Sequence, residues 1–263
     1  KIAFFDTKPY DRNFFNEANK EYDYQIKYFK NRLNADTAIM AEGYDIVCAF
    51  VNDELDAETI DKLYNSGVKL IAMRCAGYNN VDMKRAYGRI HVVRVPAYSP
   101  HAVAEHALAL MLTLNRKTHK AYYRTRETNF AITGLLGFDM AGKTAGVIGT
   151  GKIGKIMADI LHGLGLKVLL YDVYPSEGFT EGKNMEYVEL DTLLADSDII
   201  SLHCPLTDDT YHLINDDNIA KMKDGVMLIN TSRGGLIDSV AVIEGLKSRK
   251  ISSAGLDVYE EEN

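Results

Sequence analysis

The residues with the plainest chemical meaning are Gly149-Thr150-Gly151-Lys152-Ile153-Gly154. This G-x-G-x-x-G run directly follows the apolar segment Thr144-Ala145-Gly146-Val147-Ile148 and directly precedes a helical pattern. In that setting Gly149 permits a tight turn, Gly151 lets the backbone approach a pyrophosphate, and Gly154 allows close helix packing. The helix N-terminus adds amide donors and positive potential, so a dinucleotide is the ligand expected. Asp172 closes the next apolar stretch, Val168-Leu169-Leu170-Tyr171. A carboxylate there accepts hydrogen bonds from the adenosine ribose hydroxyls and repels a 2′-phosphate. Val173-Tyr174-Pro175 bring no Arg or Lys to hold such a phosphate, so the pattern selects NAD over NADP.

Three more polar clusters close apolar runs: His203-Cys204-Pro205, Asn230-Thr231-Ser232-Arg233, and Asp257. All fall at the carboxyl ends of expected strands, the edge where open α/β sheets bind ligands. Arg233, in the turn Ser232-Arg233-Gly234-Gly235, has the planar fork that grips a carboxylate bidentately. The acidic run Glu260-Glu261-Glu262 reads on its own as a solvated tail. Cys75 and Cys204 adjoin apolar strands without a thiolate-stabilising neighbour, which favours packing over nucleophilic chemistry. His101, Glu105 and His106 form H-x-x-x-E-H, one residue longer than the inverted zinc motif. On a helix the two histidines face different ways, and no metal site is expected.

Such groups need regular elements to place them. Between residue 1 and about residue 95, apolar runs at 45–49 and 68–73 alternate with helical segments. Over 56–64, for example, Ile60, Leu63 and Tyr64 share one face, and Asn65-Ser66-Gly67 supplies the stop. A strand over 92–95 ends at Pro96, and Pro100 introduces an apolar-rich helix over 102–115, so the domain boundary is expected near Ser99. After the polar stretch 124–139, strands are expected over 144–148, 167–172, 198–203, 226–230 and 253–258, with a short one near Tyr187. Helices are expected over 154–162, 191–195, 216–222 and 239–249, lengths suited to right-handed crossovers. The fold class is therefore α/β, with two doubly wound parallel-sheet, Rossmann-like domains over 1–99 and 100–263.

The 263 residues are 46% hydrophobic and 25% charged, which excludes disordered, collagen-like and disulfide-scaffold classes. Thirty Lys+Arg stand against 37 Asp+Glu, a net charge of −7 with the basic residues scattered, so no nucleic-acid partner is expected. Cys48, Cys75 and Cys204 are odd in number and widely spaced, which fits the reducing cytoplasm better than a disulfide or zinc framework. The N-terminus has the look of a first strand rather than a signal peptide. The most apolar segment, 102–114, contains Glu105 and His106 and falls short of the ~20 residues of a membrane span, so no membrane partner is expected.

Taken together, several motifs resemble the D-isomer-specific 2-hydroxyacid dehydrogenases, and among them the bacterial fermentative D-lactate group. They are Arg74-Cys75-Ala76-Gly77-Tyr78-Asn79-Asn80-Val81-Asp82, Val95-Pro96-Ala97-Tyr98-Ser99-Pro100, Ala104-Glu105-His106, Leu114-Asn115-Arg116, Gly149 to Gly154, Ser201 to Thr207, and Asn230 to Asp238. The resemblance runs nearly end to end. It implies a flavodoxin-like substrate (catalytic) domain, an NAD domain, an active-site cleft between them, and a long helix after Pro100 that helps form a homodimer or higher homo-oligomer. The implied reaction is reversible hydride transfer between (R)-lactate with NAD⁺ and pyruvate with NADH. A dehydrogenase for another D-2-hydroxy acid and a non-catalytic NAD-sensing protein on the same fold are the alternatives.

Carried over residue by residue, the loop Cys75-Ala76-Gly77-Tyr78 would bind the substrate carboxylate, Tyr98 would border the substrate, and Arg233 would hold the carboxylate and polarise the keto oxygen. Cofactor contacts would come from Gly149, Gly151, Lys152, Ile153, Gly154, Asp172, Cys204, Pro205, Thr210, Thr231, Ser232, Arg233 and Asp257. Glu262 matches the glutamate that stabilises a protonated catalytic histidine. That histidine is expected beyond Asn263, in a C-terminal part of the second domain absent from this sequence. None of His91, His101, His106, His119, His162, His203 or His212 stands at its position.

Overall fold

A computed structural model describes residues 1–261 and divides the chain into two compact units, Lys1–Tyr98 and Ser99–Asn263. In the first unit the strands are β1 (Ile2–Phe4), β2 (Ile26–Tyr28), β3 (Ile46–Ala49), β4 (Leu70–Met73) and β5 (His91–Arg94). The helices are α1 (Pro9–Asn19), α2 (Ala57–Asn65) and α3 (Met83–Ala86). All strand pairs are parallel, in the order β2-β1-β3-β4-β5, the flavodoxin-like arrangement. Asp56 caps α2 by accepting from the Thr59 N–H at 2.8 Å, and the helix buries Ile60 and Leu63 against the sheet core of Ala3, Val47 and Ile71. Arg74, directly after β4, is buried between the rings of Phe4 and Phe50, with its guanidinium carbon 4.7 Å from each centroid.

The second unit opens with α4 (Pro100–Arg116), capped by the Ser99 hydroxyl, which accepts from the Ala102 N–H. Lys117 then adopts the left-handed conformation at φ 51°, and α5 (Thr118–Arg126) begins. Strands β6 (Thr144–Ile148), β7 (Lys167–Tyr171), β8 (Met185–Tyr187), β9 (Ile199–Leu202), β10 (Val226–Asn230) and β11 (Ile251–Leu256) follow. Between them lie α6 (Lys152–Gly163), α7 (Leu190–Asp196), α8 (Asp216–Lys221) and α9 (Ser239–Lys247). The parallel order β11-β10-β9-β6-β7-β8 is that of a dinucleotide-binding sheet, with its reversal between β6 and β9. On one face α4 and α6 bury Ala104, Ala107, Met111, Met157 and Leu161. On the other, Leu193, Ile219 and Val242 seal the sheet. Both units are doubly wound α/β structures.

Two sequence expectations need correction. The last strand spans Ile251–Leu256, not 253–258: Val226 pairs with Ile251 and Met227 with Ser253, so Ser252 bulges and the pairing begins on polar residues that conceal it. The polar stretch 124–139 starts inside the helix α5, which buries none of its residues and so shows no apolar periodicity.

Helix α7 lies so close to β6 that a Cβ on Gly146 would stand 2.4 Å from the Leu193 Cδ2 and 2.5 Å from the Ser197 Oγ. Gly146→Ala is expected to destabilise the unit by about 1–3 kcal/mol through overpacking. A lowered urea midpoint with an unchanged m-value would register it.

Candidate functional site

At the end of β6 the backbone turns at Gly149 with φ +91°, and the Gly149 N–H donates to the Tyr171 carbonyl at 2.8 Å. No side chain fits at this position, since a Cβ would lie 2.5 Å from the Cys204 nitrogen and 2.6 Å from the His203 carbonyl carbon. Gly154, in the first turn of α6, is tighter still: a Cβ there would lie 1.8 Å from the Gly149 oxygen. Gly151 is the opposite case. It is the N-cap of α6 at φ −66°, no side chain caps the helix, and a Cβ would meet nothing within 4 Å. The open amides of a helix N-terminus therefore face free space at the switch point of the sheet, the environment a pyrophosphate needs. At the end of β10 the buried Thr231 Oγ1 has no hydrogen-bond partner among the described residues, a second polar group on this edge left for a ligand. These residues fit a dinucleotide.

Asp172 follows β7. One carboxylate oxygen accepts from the N–H of Thr150 and from the Thr150 hydroxyl at 2.9 Å; the other accepts from the Tyr174 N–H at 2.9 Å. Burial alone would raise its pKa, but the Tyr174 and Thr150 N–H groups, the Thr150 hydroxyl and the Lys155 ammonium together bring it below the ordinary carboxylate value. Asp172 is thus a fixed anion at neutral pH.

After β9, burial pushes the His203 imidazole down to about 4, so the ring is neutral at pH 7, with Nε2 2.8 Å from the Ser201 hydroxyl. Burial likewise pushes the Cys204 thiol up to about 11, which rules out an activated thiolate. Thr210 holds the following loop, from Pro205 onward, by donating to the Pro205 carbonyl at 2.7 Å. The lysine and isoleucine of the glycine motif, Lys152 and Ile153, form the first turn of α6.

After β10, the buried Asn230 side chain organises the turn. Its amide donates to the Arg233 carbonyl at 2.8 Å and its oxygen accepts from the Ser232 N–H at 3.0 Å, while the Ser232 hydroxyl donates to the Leu202 carbonyl. Arg233 is left exposed, bonded only to the Ser232 carbonyl among the described residues. Gly234 packs against the chain after β11, where a Cβ would lie 1.7 Å from the Tyr259 oxygen. Asp257 donates its N–H to the Asn230 carbonyl at 3.0 Å, and its carboxylate lies 3.2 Å from His106 Nε2 on α4. Glu260 accepts from the Ser239 N–H at 3.0 Å and pairs with His212. Glu262 lies outside the described residues.

In the first unit, the Cys75 thiol donates to the Gly77 carbonyl at 3.3 Å, and burial raises its pKa. Arg94 donates to the Ala76 carbonyl at 2.9 Å and lies over the Tyr78 ring at 5.2 Å, so one cation braces the whole loop Cys75-Ala76-Gly77-Tyr78. Tyr98 is exposed.

The structure therefore gathers Gly149, Gly151, Gly154, Asp172 and Cys204 about one turn, and Thr231, Ser232, Arg233 and Asp257 about Asn230. Sequence reasoning did not assign roles to Thr150, Tyr187, His106, Asn230, Arg94 or the His212–Glu260 pair. Asn230 alone carried a local signal, as the polar close of an apolar strand. The others act through tertiary contacts that no spacing rule encodes.

The profile of the family described as "D-isomer specific 2-hydroxyacid dehydrogenase, NAD binding domain" matches residues 108–263. The chain is 52% identical over 263 residues to the D-lactate dehydrogenase of Escherichia coli K12, covering 100% of this chain and 80% of that protein. The apo structure of D-lactate dehydrogenase from Escherichia coli superposes with a TM-score of 0.94, covering 99% of this chain and 84% of the other. The D-lactate dehydrogenase of Aquifex aeolicus, complexed with NAD and lactic acid, superposes with a TM-score of 0.86 at 36% identity, covering 99% and 78%.

If the space before α6 receives a pyrophosphate, Gly151→Ser will leave thermal stability within about 0.5 kcal/mol, because serine is a good N-cap. The same change will weaken NADH binding at least about tenfold, since the side chain fills that space. Calorimetric melting beside a fluorescence titration with NADH separates the two effects.

Proposed function

The chain belongs to the D-isomer-specific 2-hydroxyacid dehydrogenases, and from that premise we propose that it interconverts (R)-lactate and pyruvate with NAD as cofactor. The observation that carries this reading is the likeness of all 263 residues to a D-lactate dehydrogenase, 80% of whose length they cover. Unit Lys1–Tyr98 takes the role of the substrate domain, with the loop Cys75-Ala76-Gly77-Tyr78 binding the carboxylate through backbone amides and Tyr98 bordering the substrate. Unit Ser99–Asn263 takes the role of the NAD domain.

NAD, when bound, supplies the hydride acceptor. Backbone amides at Lys152 and Ile153 would donate to its pyrophosphate, with Gly151 admitting the close approach; Asp172 would accept from the ribose hydroxyls, Cys204 and Pro205 would lie near the adenosine, and Thr210 would add a further cofactor contact. Thr231 and Ser232 would also contact the cofactor, and Asp257, whose carboxylate lies 3.2 Å from His106 Nε2, would accept from the nicotinamide carboxamide. Arg233 holds the substrate carboxylate and polarises the C2 oxygen. Its permanent positive charge stabilises the negative charge that develops on that oxygen during reduction. Glu262 would steady the imidazolium of the histidine that the family resemblance implies for exchanging the hydroxyl proton.

We also place the protein in the reducing cytoplasm, a reading supported by three free cysteines. No helix among the described residues is long and apolar enough to cross a membrane. A homodimer or higher homo-oligomer is supported by the exposed apolar side chains that follow α4: Tyr122, Tyr123, Phe130, Ile132 and Leu136. Combining Ile132→Ser with Leu136→Ser is expected to shift the assembly toward monomer at micromolar concentration, read by light scattering on a sizing column.

The activity is tested by NADH oxidation on adding pyruvate, with the product scored by an enantiomer-specific lactate assay and branched 2-keto acids as competitors. Arg233→Ala in the protein expressed from its full coding sequence is expected to lower kcat/KM for pyruvate by about 10²–10³, with NADH affinity kept within about threefold. Equal loss of turnover and NADH affinity would sink the assignment of Arg233 to the substrate. NADH binding without turnover of any 2-keto acid would sink the enzymatic reading itself.

A further inference from the structure

Asp172 is the last member of a hydrogen-bonded chain. The Ser176 N–H donates to the Tyr187 phenol oxygen at 3.2 Å, the Tyr187 hydroxyl donates to the Thr150 Oγ1 at 3.0 Å, and the Thr150 hydroxyl donates to the Asp172 carboxylate at 2.9 Å. Each hydroxyl has a single proton, so the direction of the chain is set from both ends. A backbone N–H can only donate into it and a carboxylate can only accept from it. Tyr187 satisfies the Thr150 oxygen, which commits the Thr150 proton to Asp172. Thr150 is 3% exposed, so neither of these bonds competes with bulk water. The same carboxylate oxygen also takes the Thr150 N–H, while the other, among the described residues, takes only the Tyr174 N–H and keeps lone pairs open.

The chain ties three strands to one anion: Thr150 follows β6, Asp172 follows β7, and Tyr187 ends β8. It also fixes the segment Asp172-Val173-Tyr174-Pro175-Ser176, which is held by the Tyr174–Asp172 bond at one end and by the Ser176–Tyr187 bond at the other. Cationic charge is not missing here. The Lys155 ammonium acts on Asp172 and rests 5.5 Å from the Phe179 ring. Rejection of a 2′-phosphate therefore depends on the carboxylate keeping its place rather than on an absence of lysine or arginine in the loop.

We infer that Thr150 and Tyr187 are positioning residues that hold Asp172 as a fixed carboxylate, and that they thereby set the preference for the 2′-hydroxyl of NAD over the 2′-phosphate of NADP. Without the Thr150 hydroxyl the carboxylate would keep only its two backbone N–H donors and would offer the ribose diol a less ordered acceptor. It would also swing aside for a phosphate that Lys155 attracts. The inference deepens the NAD reading and rests on it.

The test titrates NADH and NADPH by fluorescence into the wild type, Tyr187→Phe, Thr150→Val, Thr150→Ser and the double variant Thr150→Val/Tyr187→Phe, without recourse to turnover. The two single removals are each expected to lower the NADH-to-NADPH affinity ratio about tenfold, equivalent to ~1.4 kcal/mol. Thr150→Ser, which keeps the hydroxyl, holds the ratio near wild type. The double variant matches Thr150→Val alone, because both changes break one chain. An unchanged ratio in Tyr187→Phe and Thr150→Val, or equal weakening of both nucleotides, would overturn the proposal and leave the chain a purely structural one. If the wild type bound no NADH, the cofactor reading would fail first and this inference with it.

Discussion

The constraint on which the dinucleotide edge of the second unit depends is the contact between Gly154 and the Gly149 carbonyl, where a single added Cβ would stand 1.8 Å from the oxygen. Because α6 rests directly on the turn that ends β6, the N-terminal amides of the helix cannot be anywhere but at the end of the sheet. The same turn is pressed from the other side by the backbone of Cys204 and His203 after β9. Two neighbouring strands and one helix are thus locked by backbone contact, without a side chain whose rotamer could vary. The carboxyl edge of the sheet inherits that rigidity. Groups placed on it by β7 and β10 are held relative to the helix dipole as well as to each other.

A second brace works on the same logic at β10. Asn230 is a buried polar side chain that spends its hydrogen bonds on the turn after its own strand, and Gly234 lets the chain after β11 pass in backbone contact. That segment is held again further on, where Glu260 accepts from the Ser239 N–H and pairs with His212. The Ser239 hydroxyl and N–H, and then His212, keep the Glu260 carboxyl below the ordinary carboxylate range. Residues 257–260 are therefore fixed at both ends, by Asn230 and by the start of α9.

Much of this was legible in the sequence, for reasons that differ by element. β6 and β10 were readable to the residue because central parallel strands buried on both faces appear as unbroken apolar runs. The glycine turn was readable because steric exclusion allows one residue type, and exclusion leaves a mark in composition. α5 was not, since it buries nothing, and the start of β11 was hidden because its pairing runs through Ser252 and Ser253 around a bulge. The Thr150–Tyr187 link was invisible for another reason: each residue is ordinary in its local context, and only the order β6-β7-β8 in the sheet makes them neighbours.

The two charges singled out from the sequence, Asp172 and Arg233, are treated in opposite ways by the fold. Asp172 is partly withdrawn from water, a cost that would raise its pKa, and the fold offsets it with backbone and hydroxyl donors until the charged form is favoured. Arg233 has five N–H donors on its guanidinium yet uses one Nη, on the neighbouring Ser232 carbonyl, and no carboxylate pairs with it among the described residues. A charge that must discriminate is best anchored by several protein donors, so that a wrong ligand cannot move it. A charge that must receive a carboxylate is best left with its donors open, since an internal ion pair would have to be broken before the substrate could bind. This difference in satisfaction, rather than the residue types alone, distinguishes a specificity group from a substrate-gripping one on the same sheet edge.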